Sequence, residues 1–551
     1  MSAAKNVLFI MYDQLRFDYL SCAGHPYLKT PNFDRLAAKG VRFTNAYVQS
    51  PICGPSRMSC YTGRYVHSHG AAGNGYPLKI GERTLGDYLR DAGAECWLIG
   101  KTHMVADVEG MRRLGVPADS IIGARVSECG YDIWVREDGL VCIGPENPDE
   151  PIDSPYNDAL IAKGYPAPNP WHVHANSGID EAGNIASGWY LKNSRAAANI
   201  REEDSETPWL TDRAIEFLDS RGDAPWLCHL SFIKPHWPYI APEPYASMFG
   251  PDKVVPPVRS DAERHNANPV FEAFMEMPEG RSFSRDEVRD TVVPAYMGLV
   301  AQCDAELGRL LDHLEATGRM QDTMIVLTSD HGDYLGDHWM GDKCLFHEPS
   351  VKVPLVIYDP SEAADKTRGT LCDALVEAID LTPTFIEVLG GKVLKHVVEG
   401  RSLLPWLRGE TPENWRTAVF SELDYGGLLP AERLDLLPSD AHLFMIFDGR
   451  FKMMHADGGF APILFDLETD PRELTDLGTD PAHEETRQRL YEMLNRWARR
   501  YAQRTTVTDE ALFAQRGTEA DFGCLIGFWD ESEVAPAVRP FFVGKPERDY
   551  R

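Results

Sequence analysis

The chain has 551 residues, more than one hydrophobic core usually organises, so we expect more than one domain. Its 84 acidic residues against 55 basic ones give a formal net charge of −29. This excess argues against nucleic acid or an anionic membrane as a partner, because both repel an acidic surface. A small anionic substrate is still compatible, since a local basic pocket can outweigh distant charges.

The N-terminal residues and the cysteines favour a cytoplasmic protein. The apolar segment Val7–Met11 is too short for a signal sequence, Asp13 follows closely, and no run of 18 apolar residues occurs. The 11 cysteines are scattered without a CxxC pair, which is typical neither of a zinc ribbon nor of a disulfide framework. We therefore expect a reducing cytoplasm and no membrane partner.

Strand and helix patterns alternate through the first 330 residues. Short apolar or β-branched runs predict strands at Val7–Met11, Cys96–Ile99, Trp226–Ile233 and Thr323–Thr328. Apolar residues at helical spacing predict helices at Pro31–Lys39, Thr84–Ala92 and Val293–Leu314. This alternation predicts an α/β fold, with a mostly parallel sheet between layers of helices. Residues 105–205 and 240–290, rich in Gly, Pro, Asn and charge, are interpreted as long insertions.

The pattern changes from about residue 411. A meander of antiparallel strands is predicted at Thr417–Leu423, His442–Phe447, Phe451–His455 and Ile463–Asp466, followed by a helix at Glu484–Arg504. We therefore predict a catalytic domain (1–410), a small C-terminal α+β domain (411–504) and a C-terminal tail (505–551). The tail carries apolar residues that we expect to pack on this subunit or a neighbour: Phe513, Phe522, Phe528, Trp529, Phe541 and Phe542.

Two acidic pairs follow predicted strands, where a parallel sheet places its site. Asp13-Gln14 comes after the first strand, and Asp330-His331 comes after Thr323–Thr328. Together they offer four ligands to a hard divalent cation, with the histidine acceptable to manganese. Taken alone, each aspartate is more often a helix cap or a turn former, so the pairs leave both interpretations open.

A third motif, Cys53-Gly-Pro-Ser-Arg57 continuing to Thr62-Gly-Arg64, resembles the maturation signature of the sulfatase family, C-x-P-S-R followed by T-G-R. The resemblance implies that Cys53 is converted to formylglycine, a metal-bound nucleophile after hydration; the alternative is a buried structural cysteine. Pro55 and Ser56 suit a helix start, which places position 53 near free amides and a positive dipole end. Arg57 is expected to hold the nucleophile's alkoxide and the oxygens of the substrate.

Further motifs extend the resemblance over most of the first 400 residues. They are Gly100-Lys101-Thr-His103, Lys234-Pro-His236-Trp-Pro238 and Ser329-Asp-His-Gly-Asp333 through His338. Beyond them, Leu464–Pro471 resembles the family's C-terminal motif in the smaller antiparallel domain. The resemblance implies that Lys101, His103 and Lys343 contact the ester and that His236 lies on the leaving-group side. Asn74 falls at the position of an active-site asparagine in the related phosphonate monoester hydrolases. Outside these motifs, the lysines would be surface charges, and His236 and Asn74 would be turn residues.

One position departs from the common pattern. Many sulfatases have two adjacent aspartates after the first strand, whereas this chain has Asp13-Gln14, as do the phosphonate monoester hydrolases. Those hydrolases lack a counterpart of the Lys101/His103 pair. Its presence in this chain favours a sulfatase. The sequence therefore mixes features of the two groups, and we expect activity toward phosphonate monoesters and phosphodiesters besides sulfates.

The resemblance implies an alkaline-phosphatase-like fold and a sulfuric ester hydrolase of the arylsulfatase type. It implies one divalent metal ion, Ca²⁺ or Mn²⁺, bound by Asp13, Gln14, Cys53, Asp330 and His331. Lys101 and Lys343 would hold the ester oxygens with Asn74, His236 would protonate the leaving group, and His103 would act as a base. Implied partners are a small anionic ester, a formylglycine-generating enzyme and further copies of the chain in a dimer or tetramer. Three alternatives are a phosphonate monoester hydrolase or phosphodiesterase, a non-catalytic ligand-binding relative, and a phosphotransferase, against which Cys53 argues.

Overall fold

The structure, a computed structural model, describes residues 4–139, 153–265, 267–515 and 529–533. Its strands in chain order are β1 Asn6–Asp13, β2 Val41–Tyr47, β3 Glu95–Gly100, β4 Asp132–Arg136, β5 Ser177–Ile179, β6 Ile185–Ser187, β7 Trp226–Pro235, β8 Thr323–Ser329, β9 Leu355–Tyr358, β10 Thr370–Glu377, β11 Val419–Asp424, β12 His442–Phe447, β13 Phe451–Ala456 and β14 Ile463–Asp466. The four strands predicted in the first 330 residues are thus present, each slightly longer than predicted.

The helices in chain order are α1 Pro31–Lys39, α2 Cys53–Thr62, α3 Val66–His69, α4 Leu85–Asp91, α5 Val108–Leu114, α6 Ile121–Val126, α7 Pro155–Ala162, α8 Glu206–Ser220, α9 Pro269–Met275, α10 Pro278–Phe283, α11 Asp286–Ala316, α12 Glu348–Val351, α13 Leu381–Val388, α14 Leu404–Leu407, α15 Leu429–Arg433, α16 Glu484–Ala498 and α17 Asp509–Gln515. A single π-helical turn at Trp171–Ala175 precedes α8. Helix α16 ends at Ala498, so the prediction that it continues to Arg504 is wrong.

The large sheet has eight strands in the order β10-β2-β9-β8-β1-β7-β3-β4. All neighbouring pairs are parallel except those of β9, which runs antiparallel to β2 and β8. The central strands β1, β7 and β8 are buried along their whole length, because helices cover the sheet. The predicted α/β fold with a mixed sheet between helices is confirmed.

The segment 105–205 contributes more than an insertion. Strand β4 lies within it and pairs in parallel with β3, so it extends the large sheet at one edge. Strand β4 is an edge strand, and its sequence, Asp132–Arg136, has polar residues at both ends. Because it is not a buried apolar run, the sequence pattern did not predict it. The interpretation of this whole segment as an insertion was therefore wrong.

The second sheet is the predicted antiparallel meander, β11-β12-β13-β14. Helix α16 packs on it through Leu490, Leu494 and Trp497, which meet Ile446 and Met453 in a separate apolar cluster. This confirms the smaller antiparallel unit near the C-terminus, while the boundaries at 410 and 504 stay a prediction.

By its internal contacts the chain divides into two compact units. One contains the two large sheets and the two-stranded β5-β6 pair, and consists of the residues up to 393 together with 399–499. The other consists of 394–398 and the residues from 500 onward. In the second unit, α17 carries Phe513 and a 3₁₀ turn follows Trp529, and both aromatic side chains are largely exposed. Among the tail residues named above, Phe522, Phe528, Phe541 and Phe542 lie outside the described residues. Within the described part of the chain, no helix is both long and apolar enough to cross a membrane.

Candidate active site

The carboxyl ends of β1 and β8 bring the two predicted acidic pairs together. The strands are in parallel register with Tyr12 opposite Ser329, so the residues that follow, Asp13 and Asp330, emerge side by side. The Ser329 hydroxyl lies 2.9 Å from the carbonyl oxygen of Tyr12 and accepts from the backbone N–H of Leu15, also at 2.9 Å. These bonds join the two strand ends, and both aspartates are fully buried.

Helix α2 presents Cys53 to the same place. The helix begins at Cys53, two residues before Pro55, and all its residues are buried. The hydroxyl of Ser56 donates to the backbone carbonyl of Asp330 at 2.5 Å, which attaches the first turn of the helix to the end of β8. The sequence thus placed position 53 correctly at a helix N-terminus.

Four side chains form a group that fits a metal ion. One ligand atom from each of Asp13, Cys53, Asp330 and His331 lies within 4.8 Å of the others, and all four residues are buried. The His331 Nδ1 lies 2.9 Å from the carbonyl oxygen of Gly332, which can only accept, so Nδ1 is the donor and Nε2 faces the group. Although burial favours the neutral ring, the Asp330 carboxylate raises the pKa of His331 to about 9, so the site favours positive charge there.

Two lysine ammonium groups lie against this ligand group. The Lys101 ammonium lies 2.6 Å from Asp13 Oδ2, and the Lys343 ammonium lies 3.2 Å from Cys53 Sγ. Burial alone would raise the pKa of both Asp13 and Cys53, but the neighbouring cations, Lys101 for the carboxyl and Lys343 for the thiol, lower both pKa values. The position of residue 53 therefore stabilises negative charge on its side-chain atom.

Arg57 binds the two aspartates, and its predicted contact with the nucleophile and the substrate stays a prediction. Its Nε donates to Asp330 Oδ2 at 2.8 Å, one Nη lies 3.2 Å from Asp13 Oδ2, and the other donates to Ser231 Oγ at 2.7 Å. The guanidinium is fully buried and is absent from the residues that line the cavity described below. It holds the two aspartates from behind, because a buried planar fork binds the nearest carboxylates.

His236 faces Lys343. Its Nδ1 lies 2.7 Å from the backbone carbonyl of Trp237 and must donate to it, which leaves Nε2 to accept from the Lys343 ammonium at 3.2 Å. Burial lowers the pKa of His236 in spite of the Asp13 carboxylate 3.9 Å away. The two side chains lie together beside Cys53, where the sequence motifs placed them.

The remaining predicted residues also line this region. His103 has a left-handed backbone conformation, with φ of 56°, and faces the cavity. Asn74 lines the cavity as well, and its Oδ1 accepts from the backbone N–H of Gly54 at 2.8 Å, so it caps the first turn of α2. Gln14 is buried, its Oε1 lies 3.3 Å from the Lys343 ammonium, and its Nε2 faces Asp333, at 2.7 Å.

A cavity of about 850 Å³ opens over Cys53. Besides the polar residues above, aromatic side chains form its walls: Tyr76, Trp171, Trp189 and Trp237. The rings of Trp189 and Trp237 pack with their centres 5.3 Å apart, and the ring of Trp237 lies 4.1 Å from that of His236. The cavity thus combines a polar floor with an aromatic wall beside His236.

Several contributors to the site escaped the sequence analysis. Asp333 and Tyr239 bind Gln14 and lie within or just after quoted motifs, so their proximity could have been expected. Trp171 and Trp189 lie in the segment 105–205, where neither spacing nor a motif marks them. Only the folded chain brings them to the cavity.

The family model described as "Sulfatase" matches residues 5–126 and 146–391, and the model for the C-terminal part of N-sulphoglucosamine sulphohydrolase matches residues 336–500. Among curated proteins, the multifunctional alkaline phosphatase superfamily protein PehA of Trinickia caryophylli is 32% identical over 87% of this chain and 92% of its own length. An arylsulfatase of Clostridium perfringens is 26% identical over 86% of this chain and 90% of its own length.

Solved structures give the same picture. A phosphonate monoester hydrolase from Silicibacter pomeroyi superposes with a TM-score of 0.80 at 29% identity, covering 92% of this chain and 98% of the other. The phosphonate monoester hydrolase of Agrobacterium radiobacter superposes with a TM-score of 0.75 at 30% identity, covering 89% of this chain and 95% of the other.

Proposed function

Because this chain belongs to the sulfatase family and is a sulfuric ester hydrolase, we propose that it is a metal-dependent arylsulfatase with a formylglycine derived from Cys53. The observation that carries the proposal is the surroundings of Cys53 Sγ, which marks the position of the formylglycine oxygens. A buried ligand group, the Lys343 ammonium at 3.2 Å and the N-terminus of α2 all converge on this atom. A structural cysteine needs none of these partners.

The ligand group fits a divalent cation through Asp13, residue 53, Asp330 and His331. Gln14 Oε1, 3.3 Å from the Lys343 ammonium, is proposed as a further ligand. When bound, the metal would lower the pKa of a hydroxyl on residue 53 and polarise the ester. The mixed oxygen and imidazole donors suit Mn²⁺, and Ca²⁺ is the alternative. Arg57 keeps both carboxylates in place from behind.

Substrate binding and proton transfer are assigned to further side chains of the site. Lys343 and Lys101 are placed to bind the non-bridging oxygens of the ester, where charge accumulates during the reaction. His236 lies on the proposed leaving-group side, where the Lys343 ammonium that donates to its Nε2 can supply the proton that the histidine passes to the leaving oxygen. The hydrated aldehyde supplies two hydroxyl groups, one as nucleophile and one through which the acid group is released, with His103 accepting the proton.

Two observations support an aryl leaving group. The rings of Trp189 and Trp237 form one wall next to His236, where the leaving group would lie. A flat aromatic ring packs on such a wall with more contact than a small alkyl group does. The cavity of about 850 Å³ lies in the range, roughly 300–1,000 Å³, of sites for small molecules.

A phosphonate monoester hydrolase or phosphodiesterase is the second candidate. Gln14 in place of a carboxylate leaves the metal site with one negative charge fewer, which favours a more highly charged phosphoryl group. The likeness to two phosphonate monoester hydrolases supports the same candidate. Against it stand Lys101 and His103, which add a cation and a base that sulfate transfer uses.

The test compares kcat/KM on 4-nitrophenyl sulfate with that on a matched phosphonate monoester. The protein is first shown by mass spectrometry to carry the aldehyde at position 53, and is loaded with Mn²⁺ or Ca²⁺ in turn. Faster turnover of the sulfate supports the arylsulfatase, and faster turnover of the phosphonate supports the second candidate. Hydrolysis of neither ester by aldehyde-bearing, metal-loaded protein would contradict both.

Three further proposals accompany this function. Maturation by a formylglycine-generating enzyme follows from the proposed nucleophile. A cytoplasmic location and a dimer or tetramer rest on the cysteine pattern and on the apolar tail, respectively. Expression in a host without the maturing enzyme, with and without its co-expression, tests the first, and the mass in solution tests the oligomer.

A further inference from the structure

The turn that follows β3 is enclosed by a ring of four side chains that no step above uses. Asp138 Oδ1 accepts from the backbone N–H groups of Thr102 and His103 at 2.9 and 3.2 Å. Asp138 Oδ2 binds Arg136 at 2.5 Å, and Arg136 Nε binds Glu128 Oε1 at 2.7 Å. Glu128 Oε2 then accepts from the Thr102 hydroxyl at 2.7 Å, which closes the ring.

The enclosed turn carries two ester-contacting residues and is strained. Gly100 has φ of 98°, and a Cβ there would lie 2.0 Å from the carbonyl oxygen of Ser231. His103 has φ of 56°, a conformation that costs energy in a residue with a side chain. Between them, the Lys101 side chain reaches Asp13. Such a backbone persists only where surrounding groups hold it.

The ring of four side chains fixes this backbone conformation from the edge of the sheet, where β4 lies. Arg136 ends β4 and lies opposite Gly100 in the parallel pairing with β3. Asp138 follows two residues later and is largely buried, with 18% of its side chain exposed. Its carboxylate is the acceptor for two successive N–H groups, so it fixes the direction of the peptide between Thr102 and His103. This peptide sets where the His103 ring points.

We propose that Asp138, supported by Arg136 and Glu128, is a positioning residue that holds Lys101 and His103 in the geometry for ester cleavage. The inference rests on the proposed function for its reaction but not for its geometry. It predicts that Asp138 acts on kcat more than on KM. Although the residue lines the cavity, its two carboxylate oxygens bind the N–H groups of the turn and Arg136.

The test uses Asp138→Ala, with Asp138→Asn as the conservative variant that keeps one acceptor oxygen. Asp132→Ala is the matched control, since Asp132 lies on β4 but pairs with Arg125 outside the ring. With 4-nitrophenyl sulfate, or the ester that the wild type prefers, we expect kcat of Asp138→Ala to fall about 10- to 100-fold, as displaced catalytic groups do. KM and bound metal should stay near the wild-type values, and Asp138→Asn should recover most of kcat.

Two outcomes would overturn the proposal: kcat of Asp138→Ala equal to that of Asp132→Ala, or a loss that Asp138→Asn does not reduce. A second measurement is independent of turnover and of the state of Cys53. In ¹H–¹³C spectra of unmodified protein, the His103 ring signal, assigned with His103→Gln, should shift in Asp138→Ala and not in Asp132→Ala. An unchanged signal in both contradicts the geometry. An inactive but aldehyde-bearing wild type contradicts only the proposed function.

Discussion

The side-chain amide of Gln14 donates a hydrogen bond to Asp333, with 2.7 Å between Nε2 and Oδ2. The same nitrogen lies 2.9 Å from Asp342 Oδ1 and 3.1 Å from the Tyr239 hydroxyl. Because the carboxylate oxygens accept, they fix the orientation of the amide, and Oε1 faces Lys343, with 3.3 Å between Oε1 and Nζ. The amide is therefore matched to its neighbours, whereas a second aspartate at this position would face two carboxylates.

We predict that Gln14→Asp disrupts the site by like-charge repulsion. Bringing a third carboxylate against Asp333 and Asp342 should cost about 2–3 kcal/mol and lower kcat/KM roughly 100-fold. The metal-to-protein ratio after dialysis and kcat/KM are measured together. Removing the charge at Asp333 should relieve the repulsion. The double variant Gln14→Asp with Asp333→Asn should therefore have a kcat/KM about tenfold higher than that of Gln14→Asp alone. Additive losses in the double variant would show that the two side chains are not coupled.

The nucleophile gives a second prediction. Cys53→Ser keeps a hydroxyl at the same position but has no second hydroxyl, so it should accept the acid group once and then stop. Intact-mass spectrometry after incubation with 4-nitrophenyl sulfate should show protein heavier by one sulfuryl group, with release of about one nitrophenolate per chain. Cys53→Ala should show neither. Steady turnover by Cys53→Ser would contradict the proposed role of formylglycine.

Much of the site could be predicted from the sequence, because strand ends fix it. Asp13 and Asp330 directly follow buried apolar runs, and parallel strands end at one edge, so the sequence placed both at that edge. Their meeting depends in addition on β8 lying next to β1 in the sheet. Cys53 was placed by the proline and serine that begin its helix. The family resemblance then supplied roles that spacing alone cannot assign to Lys101, His236 and Lys343.

The sequence did not predict contacts whose partners lie far away along the chain. The sequence did not predict the partner of Arg57, because Asp330, 2.8 Å from its Nε, is 273 positions away. The predicted contact of Arg57 with the nucleophile and the substrate stays a prediction. Strand β4 and the aromatic wall were missed because their packing partners come from other segments. Asp138 gives no local signal either, since its two N–H donors belong to a turn 35 and 36 positions earlier.

The aromatic wall leads to a prediction about selectivity. Trp189 packs on Trp237, and its indole lies 3.3 Å from His172 Nδ1, so Trp189→Leu should shorten the wall. We expect the ratio of kcat/KM for 4-nitrophenyl sulfate over ethyl sulfate to fall roughly two- to tenfold, as for a lost aromatic contact of about 0.5–1.5 kcal/mol. The matched control is Trp406→Leu, outside the cavity lining. Equal loss for both esters would mean that the wall does not contact the leaving group.

The last prediction concerns stability and pH. Burial raises the pKa of Glu137 to about 7 from an ordinary value of 4.5, although the Ser154 hydroxyl and the Tyr156 N–H, which donate to it, favour the charged form. The folded chain therefore holds a proton at Glu137 that the unfolded chain loses at lower pH. This group's contribution to stability is complete below about pH 4.5 and is lost as the pH rises through 7, by about 3 kcal/mol in total.

Glu137→Gln should remove this contribution to the pH dependence while keeping an acceptor oxygen for Ser154. In urea unfolding of metal-loaded protein from about pH 5 to pH 8, the free energy of unfolding of the wild type should fall relative to that of the variant. The control is the exposed Glu216→Gln, which should follow the wild type. If the curves of Glu137→Gln and the wild type run parallel, the carboxyl is already charged in the folded protein and its burial does not raise the pKa as inferred. A free energy of unfolding of the wild type that falls relative to that of Glu137→Gln as the pH rises instead identifies Glu137 as a buried acid that weakens the fold above neutral pH.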